Sequence, residues 1–289
     1  MFYDHAAGMV FRPPSEANSL ILRVAIGCSH NTCTFCAMYR NTPFRIRGLD
    51  EIDAVMACAQ RLYPDTRRVF LADGNALAVP TNMLLIILRK LHQSFPRLTR
   101  VGCYANPKDA AYKSPAELTA LREAGLKITY MGIESGDPTV LCSIQKGVVP
   151  DQIIEAGQKI LQAGIKLSTT IILGLGGRER TIEHAQNTAA VINATAPTMV
   201  NALSLMVYPG TLLAQSIESG TFIPLTTREI LEEHYHLLKA LTSSCIYRSD
   251  HASNYLPLSG TLPKDKARML KSLLHVMGTS QLPLYDFKE

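Results

Sequence analysis

The sequence predicts an α/β protein: a partial (β/α)6 TIM-like barrel with short N-terminal and C-terminal extensions. Three observations predict it. Six apolar, β-rich runs alternate with helical patterns over residues 20–240. Those runs are near-continuously hydrophobic, as expected of strands covered on both faces. No shift in composition interrupts the alternation, and 289 residues suffice for one large barrel. Residues 1–19 and 241–289 fall outside the repeat. The first is expected to contact substrate or plug the barrel; the second is expected to pack on it and help form the substrate site.

The predicted strands begin at Leu20, Arg68, Arg100, Lys127, Lys166 and Asn201. After the first, Ile52, Val55, Met56, Ala59 and Leu62 share one helical face. A second helix is expected from Thr81. Ser114-Pro-Ala-Glu117 reads as a capping box with proline at the first helical position, and Gly125 stops that helix. Further helices are expected from Pro150 to the Gly164 stop and from Thr181 onward. Thr226-Thr-Arg-Glu229 is a second capping box.

Composition narrows the class. The chain is 47% hydrophobic and 18% charged, with no low-complexity tract. No apolar run approaches the ~18 residues of a membrane span, and residues 1–19 do not read as a secretory signal. Seven cysteines, three of them clustered, do not suggest a disulfide framework. A reducing compartment, the cytoplasm, is expected. The net charge of +5 permits an anionic partner without arguing for nucleic acid.

In such barrels, chemistry sits at the C-terminal ends of strands. After the first strand stand Cys28, Cys33 and Cys36 in Gly27-Cys-Ser-His-Asn-Thr-Cys-Thr-Phe-Cys36. Three thiolates are one too few for a closed tetrahedral zinc site. They suit a four-iron cluster with one iron left open. A zinc knuckle completed by His30 or a distant cysteine is the competing reading. After the second strand comes Asp73-Gly74-Asn75, either a cofactor contact or an ordinary turn. After the third comes Asn106-Pro107, a polar contact or a turn initiator. The fourth ends in Gly132-Ile-Glu-Ser-Gly136. The fifth carries Thr169 and then Gly174, Gly176 and Gly177, where bare backbone allows close approach. Outside the repeat, Tyr247–Tyr255 concentrates Arg248, Asp250, His251, Ser253 and Asn254, and is read as substrate-facing.

With these segments in this order, residues ~20–210 resemble the radical S-adenosylmethionine (SAM) superfamily. The family's cluster motif is Cys-x3-Cys-x2-Cys with an aromatic residue before the last cysteine. This chain has Cys28-x4-Cys33-x2-Cys36 with Phe35 in the aromatic place, so one gap is a residue longer. The Gly-Ile-Glu-Ser-Gly stretch is similar to the subgroup that includes the methylthiotransferases. The resemblance implies a [4Fe-4S] cluster on the three cysteines. It implies SAM contacts from Asp73, Gly74, Asn75, Asn106, Glu134, Ser135, Thr169, Gly174 and Gly176. It implies reductive cleavage of SAM to a 5′-deoxyadenosyl radical that abstracts hydrogen from a substrate, with a flavodoxin- or ferredoxin-type electron donor. His251 and Asn254 are expected at the substrate. A small-molecule substrate is expected, because no cobalamin domain is read before the barrel and no RNA-binding β domain after it. The alternatives are aminocarboxypropyl transfer from SAM and a zinc-stabilised nucleic-acid-binding or scaffold protein.

Overall fold

The structure is a computed structural model, described here over residues 10–279. Its elements, in chain order, are β1 (Leu20–Arg23), β2 (Ala25–Ile26), β3 (Arg45–Ile46), α1 (Leu49–Leu62), β4 (Arg68–Ala72), α2 (Thr81–Ser94), β5 (Arg100–Ala105), α3 (Pro107–Tyr112), α4 (Pro115–Glu123) and β6 (Leu126–Glu134). There follow α5 (Pro138–Ser143), α6 (Pro150–Gln162), β7 (Lys166–Leu173), α7 (Thr181–Thr195), β8 (Met199–Ser204), α8 (Leu212–Glu218), α9 (Thr227–Ala240), β9 (Cys245–Arg248), β10 (Ser259–Leu262) and α10 (Lys266–Met277). The chain forms two compact units. Among the described residues, one comprises 10–31, 38–131 and 156–167; the other comprises 32–37, 132–155 and 168–279.

In the first unit β1 pairs with β4, β4 with β5 and β5 with β6, all parallel. Parallel neighbours need crossovers, which α1, α2 and α4 supply. Ser114 caps α4 as expected: its Oγ accepts from Glu117 N, and the Glu117 carboxylate accepts from Ser114 N at 2.8 Å. One core packs Ile21, Phe70, Ala72, Ile128 and Tyr130 together. Phe70 meets Tyr104 edge-on at 4.9 Å between centroids. Into this core the N-terminal segment inserts Glu16, which is fully buried. Its carboxylate accepts from Arg100 Nη2 at 2.6 Å and from the Tyr130 hydroxyl at 2.5 Å. Glu16 is thereby tied to β5 through Arg100 and to β6 through Tyr130.

The first predicted strand divides in two. After Arg23 the chain leaves the β1–β4 ladder, and Ala25–Ile26 pairs antiparallel with Arg45–Ile46. This short ribbon closes the base of the cysteine loop.

In the second unit β7 pairs with β8 and β8 with β9, parallel, and β10 returns antiparallel to β9. Helix α9 packs on α7 and α10. The repeat therefore does not stop near residue 240. Strand β9 continues it, and β10 and α10 follow within 241–279, with a loop over 249–258. The alternating pattern of β9, buried at Cys245 and Tyr247 only, is too short to stand out as a strand in sequence.

Candidate functional site

The cysteine loop leaves β2 through Gly27, whose backbone is left-handed at φ 78°. A Cβ there would lie 2.7 Å from Thr42 O, so the close return of the chain requires glycine. Cys28, Cys33 and Cys36 follow, all half-buried and none in a disulfide. Cys36 N donates to Cys33 O at 3.2 Å. Among the described residues, no three His, Cys, Asp or Glu side chains converge closely enough to hold an ion. The donor set nevertheless fits a thiophilic metal group: three thiols outside any disulfide in one irregular segment, reachable from solvent. Two of the other cysteines are buried. Burial pushes Cys103 up to about 12 and Cys245 up to about 11, which keeps both as thiols.

Behind the loop stands the segment after β4. The Ala72–Asp73 peptide is cis. Asp73 is fully buried. Its Oδ1 accepts from the Tyr39 hydroxyl at 2.6 Å, and its Oδ2 accepts from Arg23 Nη2 at 3.2 Å and Gly27 N at 3.3 Å. Burial raises the Asp73 carboxyl above its ordinary value, against the opposing bonds from Tyr39, Arg23 and Gly27. The same burial, with Asp73 beside it, drives the Tyr39 phenol far upward. Gly74 is required by contact: a Cβ would meet the Tyr39 ring at 2.6 Å and Cys28 Cβ at 3.0 Å. Asn75 Nδ2 donates to Ser29 Oγ at 2.7 Å and to Asp109 Oδ2 at 2.5 Å. Its Oδ1 accepts from Asn106 N at 3.1 Å. Asn106 in turn caps α3, accepting from Lys108 N at 3.0 Å. Asp73, Gly74, Asn75 and Asn106 are thus brought together, with their polar atoms turned onto the protein. A cavity of about 410 Å³ opens beside Asp109, lined also by Thr81, Tyr112, Lys113 and Glu117, and by none of the nominated residues.

At the end of β6, Glu134 holds a left-handed backbone at φ 62°. Its carboxylate pairs with Lys146 Nζ at 2.8 Å. Ser135 is buried, and its Oγ accepts from Asp137 N at 2.9 Å, a tight turn closing the strand. Gly136 lies on α7: a Cβ would fall 2.3 Å from Asn187 O. Asp137 caps α5 and receives Arg180 through two bonds, at 2.8 and 3.2 Å. Burial works to raise Asp137, but the bonds from Arg180, Val140 N and Asn187 prevail and hold it at about 2.

Thr169 is buried, its hydroxyl donating to Met199 O at 3.2 Å. Gly174 is left-handed at φ 84°, and its N–H donates to the buried Glu233 carboxylate at 2.7 Å. A Cβ on Gly174 would reach Ile230 at 2.5 Å, and one on Gly176 would reach His184 at 2.9 Å. These glycines serve helix packing in the second unit. Asn254 is fully engaged: Oδ1 accepts from Ser204 Oγ at 2.9 Å and Nδ2 donates to Ala202 O at 2.8 Å. His251 Nδ1 accepts from Ser253 N at 3.1 Å, which assigns the ring proton to Nε2. Burial lowers the His251 pKa, with Asp250 opposing, so the imidazole is neutral at pH 7.

Sequence reasoning did not single out Tyr39, Arg23, Lys146 or Asp137 as partners. One signal was available: Arg23 is a lone charge inside an apolar strand, a placement that demands a buried counter-charge.

Comparison with known proteins bears on these loops. Curated relatives are tRNA-2-methylthio-N(6)-dimethylallyladenosine synthases from Dehalococcoides mccartyi, 28% identical over 171 residues. The match takes in 56% of this chain and only 39% of theirs, so the chain spans about two fifths of their length. Among solved structures, the radical SAM methyltransferase TsrM from Kitasatospora setae aligns with a TM-score of 0.58 at 18% identity, covering 70% of this chain and 39% of that one. Coproporphyrinogen III oxidase HemN from Escherichia coli gives 0.58 at 15% identity, over 76% and 52%. Methylornithine synthase gives 0.53 at 16%, over 90% and 82%. These likenesses bear out the α/β barrel class. Residues 22–189, which contain the cysteines and the segments after β4 to β7, match the radical SAM superfamily. The chain therefore belongs to the radical SAM superfamily of enzymes, which work with a [4Fe-4S] cluster and SAM.

Proposed function

We propose that the protein cleaves SAM reductively and uses the resulting radical to abstract hydrogen from a small-molecule substrate. The observation that carries this reading is the set of three half-buried cysteines, none in a disulfide, on one loop inside the family-matched region. Cys28, Cys33 and Cys36 would hold the cluster. Cluster and SAM together supply one-electron cleavage of a carbon–sulfur bond to a 5′-deoxyadenosyl radical. The chain's own task is to fix the loop, orient SAM and exclude water. Glu134, with Lys146 beside it, is the proposed SAM contact. Asp73, Gly74, Asn75, Asn106, Ser135, Thr169, Gly174 and Gly176 are proposed to shape the SAM-binding loops through the contacts that their polar atoms or open faces make with protein.

His251 is the proposed substrate-facing group, with Asn254 holding its loop. A flavodoxin- or ferredoxin-type donor would supply the electron. Cysteines outside any disulfide suit a reducing compartment, the cytoplasm, and no helix among the described residues is long and apolar enough to cross a membrane.

The test is anaerobic reconstitution with iron and sulfide. About four irons per chain and broad visible absorption are expected. Reduction in the presence of SAM should release 5′-deoxyadenosine, and Cys28→Ala should abolish both. Methylthioadenosine as the product would favour aminocarboxypropyl transfer. A colourless protein with a single zinc would sink the proposal.

A further inference from the structure

We infer that the Asp73 carboxylate is the positioning clamp of the cysteine loop, gripping both of its ends and so accommodating the additional residue between Cys28 and Cys33. The inference rests on the reading that this loop carries the cluster. At the loop's entry, Gly27 N donates to Oδ2. At its exit, three residues beyond Cys36, the Tyr39 hydroxyl donates to Oδ1. One buried carboxylate thus fastens both ends, and Arg23, from the strand that feeds the loop, balances its charge. Gly74 then brings the end of β4 against Cys28 itself, with no room for a Cβ between them.

The longer gap, Ser29 to Thr32, is also tied in. Asn31 sits there in a left-handed conformation, φ 37°, which asparagine tolerates better than most residues. Its side-chain Nδ2 donates to Tyr39 O at 2.8 Å, joining the middle of the gap to the exit anchor. Asn75 adds a tie at Ser29. The extra residue is folded inward against Tyr39 rather than left to swing. Fixing both ends beforehand reduces the ordering cost that ligation would otherwise meet.

A merely charge-neutralising Asp73 would not need Tyr39, which separates the two roles. Hydrogen–deuterium exchange of the apoprotein, read by mass spectrometry, should show residues 24–40 exchanging about tenfold faster in Tyr39→Phe, equivalent to about 1.4 kcal/mol of loop opening. The β5 peptide should be unchanged. Phe retains the ring that packs on Phe11, so the fold is kept. Asp73→Asn should give a larger effect at the same peptide. After reconstitution, both variants should lose iron to a chelator faster than the wild type. Wild-type exchange in the loop of both variants, or acceleration spread evenly over the unit, overturns the clamp. If the wild type takes up no iron, the cluster reading fails while loop exchange still decides the clamp. If Tyr39→Phe loads and keeps iron with unchanged exchange, the clamp fails and the cluster reading stands.

Discussion

Lys146 Nζ stands 2.8 Å from Glu134 Oε1, with the two side chains only 7% and 13% exposed. Glu134 reaches this partner because its backbone turns left-handed and because Gly132 leaves space; a Cβ on Gly132 would lie 2.1 Å from Oε1. The residue expected to face SAM is thereby oriented by a cation from the following loop.

Lys146→Met should therefore leave a mostly buried carboxylate without its cation. The expected loss is about 3 kcal/mol, the lower end for breaking a buried pair. Urea unfolding measures it. Adding Glu134→Gln in the same chain should recover much of the loss; no recovery would mean the two residues are not coupled.

Gly136→Ala tests whether the last glycine of the Gly-Ile-Glu-Ser-Gly stretch is there for packing. The new methyl would press on the α7 backbone at Asn187 and Thr188, which cannot rotate away. A cost of about 1–3 kcal/mol is expected from overpacking. An unchanged melting temperature would refute the packing role.

The His234–Tyr247 pair gives an acid dependence. His234 is buried and bonded to the Tyr247 hydroxyl at 2.7 Å. Burial lowers the imidazole to about 4, below its ordinary 6.5. Between those values the unfolded chain binds the extra proton, so stability should fall as pH drops from 6.5 toward 4 and stop falling below 4. Melting temperature against pH checks this. His234→Gln should flatten that window at some cost in stability, about 1–3 kcal/mol if the Tyr247 hydroxyl is left unsatisfied.

The two tail residues should separate. Asn254→Ala removes bonds to Ser204 and Ala202 and should destabilise the protein by about 1–3 kcal/mol. His251→Ala should change the melting point little and leave iron content and SAM binding intact, while uncoupling SAM cleavage from substrate turnover. Loss of iron in His251→Ala would show a structural role instead.

Much of this was written along the chain, because local rules determine it. Strand runs at Arg68, Arg100, Lys127 and Lys166 and the capping boxes at Ser114 and Thr226 depend on hydrophobic period and side-chain-to-backbone bonds a few residues apart. The cysteine spacing, and with it the family, is equally local. What only the tertiary structure decided is which atoms the nominated polar residues meet. Asp73 is joined to Arg23 and Tyr39, Asn254 to Ser204, and Gly174 to Glu233, each across dozens of positions in sequence. A buried polar group must find a partner, but its sequence neighbours do not say which. So the sequence by itself determined a barrel bearing three thiols on a loop. The folded chain decided that the Asp73 carboxylate meets Arg23, Gly27 N and Tyr39.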